Sequence, residues 1–164
     1  MQQSIKEKIK QIEINLEVNE QIELSNLYID NIESRKLLNE TNDCTVRSLS
    51  MSLRVSYLDA HSYLRNLGRD NREGFNSAKI FNLEVGETRI FWFYGNQYEI
   101  TRPPKPNMFV NTFLKAKRKG VYYIVVKEHA YAQINGIAFN RKPENQIIKY
   151  YYEIKLINHL TITK

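Results

Sequence analysis

The sequence predicts an α+β domain with helices first and antiparallel strands after. Two observations carry this. Val46, Leu49 and Leu53 recur at helical spacing behind Asn42-Asp43, and a second apolar stripe of Tyr57, His61, Leu64 and Leu67 follows. From Arg89 onward, aromatic and β-branched runs are broken by glycine-containing turns, as in hairpins. Runs of helices followed by runs of strands are the α+β pattern. The 164 residues are 42% hydrophobic and include eleven Tyr, enough for one core without a disulfide or metal staple.

Residues 1–39 read as a polar extension packed on a domain of residues 40–164. Within the extension, Ile12, Ile14, Leu16 and Val18 alternate with polar residues, which predicts a half-buried strand. Ile22, Leu24 and Leu27 to Ile32 fit either a strand or a helix. The first helix of the domain starts behind the Asn42-Asp43 cap. The second is capped by Ser56, with Asp59 three residues on, and stops at Gly68. Residues 69–87 read as loop.

Arg89 to Tyr94 reads as a strand, Gly95-Asn96 as its hairpin turn and Gln97 to Thr101 as the return strand. Pro103, Pro104 and Pro106 end that strand. A short helix is expected over Val110 to Arg118, and a strand over Val121 to Val126. A hairpin starting at His129 and a last alternating strand around Ile148 to Leu156 complete the sheet.

The charge balance is mildly basic, at +6. That serves solubility, and it is also compatible with an acidic partner such as nucleic acid. The run Lys115 to Lys119 has two readings, a charge-complemented helix C-terminus or a phosphate-binding patch. No apolar run is long enough to span a membrane. Met1 to Lys10 lacks the apolar stretch of a secretory signal, and a single cysteine fits a reducing compartment. There is no glycine-rich phosphate loop and no zinc-ligand spacing, so neither cofactor nor metal is called for.

Cys44 is that cysteine, set in the first turn of the first domain helix. Main-chain N–H groups and the helix dipole there favour a thiolate. The bland alternative is a small buried hydrophobe. Far along the chain, His129 and Asn140 flank Asn135-Gly136. A two-residue turn there pairs Ile134 with Ile137, Gln133 with Ala138 and Ala132 with Phe139. His129, Tyr131, Gln133, Ala138 and Asn140 then share one face, with His129 and Asn140 as diagonal neighbours. A carboxamide so placed could orient the imidazole, the role of a third triad member. His61 sits on an apolar stripe and reads as a packed core residue, while His159 has no partner signal.

Asn42-Asp43-Cys44-Thr45-Val46-Arg47-Ser48-Leu49-Ser50, then Ser56 to His61 and Leu67-Gly68-Arg69, resemble the N-terminal signature of small papain-like cysteine peptidase-fold proteins. These occur in phages and bacteria and are related to peptidases that process bacteriocin leaders. Thr112-Phe113-Leu114, Lys119-Gly120-Val121-Tyr122, His129-Ala130 and Asn135-Gly136 resemble the family's closing strand and hairpin. The resemblance spans about residues 40–141. It implies a papain-like fold, with Cys44 as nucleophile, His129 as general base and acid, and Asn140 as the orienting residue. Relatives often carry Asp at the Asn140 position. Larger members place a Gln six residues before the cysteine as oxyanion donor. Leu38 stands there in this chain, so by the resemblance either Asn42 or Asn39 takes that part or no residue does.

The expected function is therefore a phage-encoded cysteine peptidase or related thiol hydrolase acting on a protein or peptide substrate. Its expected place is the cytoplasm of the bacterial host or the virion. The alternative is a non-catalytic structural, regulatory or host-binding phage protein on the same fold.

Overall fold

The computed structural model describes residues 4–15 and 17–158. Leu16 and His159, both named above, lie outside them. Among the described residues are six helices: α1 (Ile5–Asn15), α2 (Val18–Leu37), α3 (Cys44–Leu53), α4 (Tyr57–Asn66), α5 (Ala78–Phe81) and α6 (Val110–Ala116). Six strands accompany them: β1 (Thr88–Phe93), β2 (Asn96–Thr101), β3 (Val121–Val126), β4 (His129–Ile134), β5 (Ile137–Phe139) and β6 (Tyr150–Asn158). The strands form one sheet in the order β1-β2-β6-β3-β4-β5, with every pair antiparallel. The α+β class expected from the sequence is the class observed.

The extension is helical where a strand was expected. Ser4 and Glu7 close a reciprocal capping box, each main-chain N–H bonding the other's side chain at 3.2 Å. Ile5, Ile9 and Ile12 then follow at helical spacing, and Ile12 is fully buried. In α2, Leu24, Tyr28 and Asn31 form the buried stripe. Ile12, Leu24 and Tyr28 pack with Met51 of α3 and with Ala132, Ile134, Ile137 and Phe139 of the β4–β5 hairpin. This apolar contact ties the extension to the sheet edge.

Two further boundaries differ from expectation. The first hairpin turns on Tyr94-Gly95, not Gly95-Asn96, because Phe93 pairs with Asn96. Both turn residues have positive φ, 47° and 81°, as a type I′ turn requires. The helix expected to reach Arg118 ends at Ala116, and residues 69–87 contain the short α5. The Ser56 cap and the Gly68 stop stand as expected: the Asp59 N–H donates to Ser56 Oγ at 3.1 Å, and Gly68 has φ +109°.

Helix α3 lies on the sheet. Val46, Leu49 and Leu53 pack against Tyr123, Val125, Ala130, Tyr152 and Ile154, and the α4 residues Ala60 and Leu64 join this cluster. The other sheet face is covered by α6, whose Val110 and Phe113 meet Tyr122, Ile124, Val126, Tyr131 and Tyr151. Burying a large apolar side chain contributes about 1.5–3 kcal/mol, so these two layers fix how α3 sits on β4. Among the described residues no helix is long and apolar enough to cross a membrane.

Candidate functional site

Helix α3 begins at Cys44, with Asp43 at the cap position. The expected side-chain cap is not made. The Asp43 carboxylate, fully buried, turns instead to three partners from elsewhere in the chain. Arg35 of α2 donates twice, at 3.0 Å to each oxygen. The Tyr57 hydroxyl donates at 2.7 Å, and the Arg47 guanidinium lies 3.2 Å away, one helical turn on. Burial pushes the Asp43 carboxyl up, but these hydrogen bonds and the Arg47 and Arg35 charges outweigh it and hold the group ionised, below its ordinary value. The carboxylate next to Cys44 is thereby committed to cations.

The segment leading into α3 is pinned a second time. Glu40, buried, accepts from Arg69 at 2.8 and 3.3 Å, from His61 Nε2 at 2.5 Å and from the Arg72 N–H at 2.6 Å. His61, expected as a packed core residue, is buried and is also a partner of this carboxylate. Burial alone would raise the Glu40 carboxyl, but these donors and the Arg69 charge lower it to about 2. Asn42 has φ +51°, and its amide Nδ2 donates to the Arg72 carbonyl at 3.1 Å. One donor of the expected oxyanion residue is thus already engaged.

The opposite wall comes from the β4–β5 hairpin. Its register is Ile134 with Ile137, Gln133 with Ala138 and Ala132 with Phe139, the two-residue turn expected from Asn135-Gly136. The ladder ends at Phe139, and Asn140 takes φ +67°. That left-handed residue swings its carbonyl toward the histidine. His129 Nε2 lies 2.5 Å from the Asn140 main-chain oxygen. Asn140 therefore reaches the ring with its backbone rather than with the expected carboxamide. The carboxamide oxygen instead accepts from Arg47 Nη1 at 2.9 Å.

A carbonyl oxygen only accepts, so Nε2 carries the proton and Nδ1 of the neutral ring keeps a lone pair. Burial lowers the His129 pKa below its ordinary value. The Asn140 bond opposes this, the Lys142 and Arg47 charges add to it, and Glu144 opposes it. The imidazole is thus held in the neutral form a general base needs.

Cys44 and His129 border one open cavity of about 1530 Å³, together with Asn42, Arg47 and Asn140. Cys44 is partly exposed and packs against the α3 cluster. No hydrogen bond joins Cys44 to His129 among the described residues. Nor does any group of three or more His, Cys, Asp or Glu side chains there form an arrangement able to hold a metal.

Arg35, Arg47, Tyr57, Glu40 and Arg69 are the residues that sequence reasoning did not single out for the site. Arg47, Tyr57 and Arg69 lie within the quoted motifs; the Arg47–Asp43 pair, four positions apart, is local, whereas the bonds of Arg35 to Asp43, Arg47 to Asn140 and Arg69 to Glu40 join different elements. In comparisons with family models, curated proteins and solved structures, nothing matches this chain.

Proposed function

We propose that this protein is a cysteine peptidase or related thiol hydrolase of phage origin, with Cys44 as nucleophile and His129 as base. The observation that supports it best is the fixed tautomer of His129, which leaves Nδ1 unprotonated in a residue that borders the same groove as Cys44. In this reading Nδ1 takes the Cys44 thiol proton as the sulfur attacks an amide carbonyl. The tetrahedral oxyanion forms near the Cys44 N–H at the start of α3. The imidazolium then protonates the departing amine, leaving an acyl group on Cys44. A water, deprotonated by His129, attacks that acyl carbon and frees the carboxylic acid and the thiol. Asn140 orients the ring through its carbonyl, and Arg47 holds Asn140.

The test couples reactivity to turnover. Iodoacetamide should alkylate Cys44 readily near pH 6, and His129→Ala should slow that reaction. Cys44→Ala and His129→Ala should each abolish amide hydrolysis, with losses that do not add, because the pair acts as a unit. Cys44→Ala removes few packing atoms and should leave the fold intact by circular dichroism. The second reading, a non-catalytic binding protein on the same fold, draws support from the missing Cys44–His129 hydrogen bond. A biological effect that survives Cys44→Ala unchanged would decide for it.

A further inference from the structure

The groove beside Cys44 has a charge imbalance that the hydrolase chemistry does not use. Its two buried carboxylates are spent: Asp43 on Arg35, Arg47 and Tyr57, and Glu40 on Arg69 and His61. Exposed Lys36 from α2 and exposed Lys142 from the segment after Asn140 also line it, and neither has an ion-pair partner among the described residues. Arg141 binds only the neutral carboxamide of Asn111, and its Nε is buried without a partner. Lys8 of α1 binds the Ala138 carbonyl and no carboxylate. Against these four cations stands one uncommitted carboxylate, Glu128.

We infer that this groove binds an extended polypeptide segment rich in Asp and Glu, whose carboxylates are read by Lys36, Lys142 and Arg141. This names the substrate class of the proposed hydrolase and rests on that reading. Size supports a polypeptide: about 1530 Å³ exceeds the ~300–1,000 Å³ of small-molecule pockets. The lining disfavours single-stranded nucleic acid, the other polyanion, because such sites stack bases on exposed aromatic rings. Among the described residues bordering the groove, Tyr28 is the only Phe, Tyr or Trp, and it is 8% exposed. The exposed Trp92 and Tyr94 belong to the β1 hairpin at the far side of the sheet from β5.

The test is a binding measurement on the full chain carrying Cys44→Ala, so that no probe is consumed. Fluorescence anisotropy compares three labelled peptides of one length: Glu-rich, its Gln counterpart and its Lys counterpart. The Glu-rich peptide should bind about tenfold or more tighter than the Gln peptide, and salt should weaken it. Lys36→Gln with Lys142→Gln, both at exposed positions, should remove most of that preference. Equal binding of the Glu and Gln peptides would overturn the inference. So would tighter binding of a single-stranded oligonucleotide of equal charge, or a preference untouched by the two lysine changes. Failure of the hydrolase reading looks different: Cys44 unreactive in the wild type, with the Glu-rich peptide still held but never cleaved.

Discussion

The two walls of the groove are held in place by very different means. At the Cys44 wall, Asp43 and Glu40 are each gripped by several donors from α2, α4 and the loop after it. At the His129 wall, one ring nitrogen rests on one carbonyl, and that carbonyl belongs to a left-handed residue just past the end of β5. Besides the apolar packing of Tyr28 and Met51 on the hairpin, Arg47 ties the walls, facing Asp43 on one side and donating to Asn140 on the other. The nucleophile starts a helix packed in the core, and the base starts a strand of the sheet, but the ring of that base is held by a residue beyond the ladder. A ligand that moves residues 140–143 would free the His129 ring without disturbing its strand or α3.

The largest effect should come from Asp43→Ala. It leaves the Arg35 and Arg47 guanidinium groups without their shared buried partner, and breaking such a cluster from one side costs about 3–5 kcal/mol. Urea unfolding measures this directly. A loss below about 1 kcal/mol, the scale of a surface pair, would mean that the Cys44 wall is no better anchored than the other.

Next comes Glu40, whose carboxyl is held at about 2 against an ordinary 4.5. A depressed carboxyl contributes stability that is complete above its ordinary value and is lost as pH falls toward the folded one. Wild-type stability should therefore decline between pH 4.5 and about 2. Glu40→Gln should be less stable at neutral pH by about 3 kcal/mol, and its stability should vary less across that acid window. Parallel acid-unfolding curves for the two proteins would contradict this.

The smallest effect separates the two contacts of Asn140. Asn140→Ala removes the bond to Arg47 and puts a residue less tolerant of φ +67° in its place, costing about 1–2 kcal/mol. Asn140→Gly also loses the Arg47 bond but accepts the conformation and keeps the carbonyl against His129. Glycine should therefore be the milder change. Because the Asn140 carbonyl raises the His129 pKa against burial, losing that contact would lower it further, and an NMR titration should find no such further drop in Asn140→Gly. Equal effects of the two substitutions would show that the carboxamide, not the carbonyl, governs the histidine.

Local signals explain what the sequence made legible. The Ser56 cap, the Gly68 stop and the Asn135-Gly136 turn each act through neighbours a few positions away, and α4 and the β4–β5 register follow them. The strand expected at Ile12 to Val18 failed because period-two alternation in that short stretch competed with a helical one. The Ser4–Glu7 box and the Ile5, Ile9, Ile12 spacing were the better guide. The first hairpin slipped by one residue because a tyrosine in the left-handed region is uncommon, and Gly95-Asn96 matched a familiar turn pair. Most of the grip on Asp43 and Glu40 was not legible, since Arg35, Tyr57, His61 and Arg69 meet them only through tertiary packing; the Asp43–Arg47 pair, four positions apart, is the local exception.

Lys8 has a consequence for how this molecule meets its own kind. Ala138 pairs with Gln133 in a register that turns its carbonyl outward, and the Lys8 ammonium bonds that carbonyl while lying over the Phe139 ring. Outward main-chain groups on a last strand are templates for joining sheets, and an inward-leaning lysine is one of the ways chains blunt them. The opposite margin, β1, pairs with β2 alone and exposes Ile90 and Trp92. Among the described residues the sheet is guarded at one margin and has no such guard at the other, so β1 is the edge where another strand could add, and loss of α1 would expose a second one.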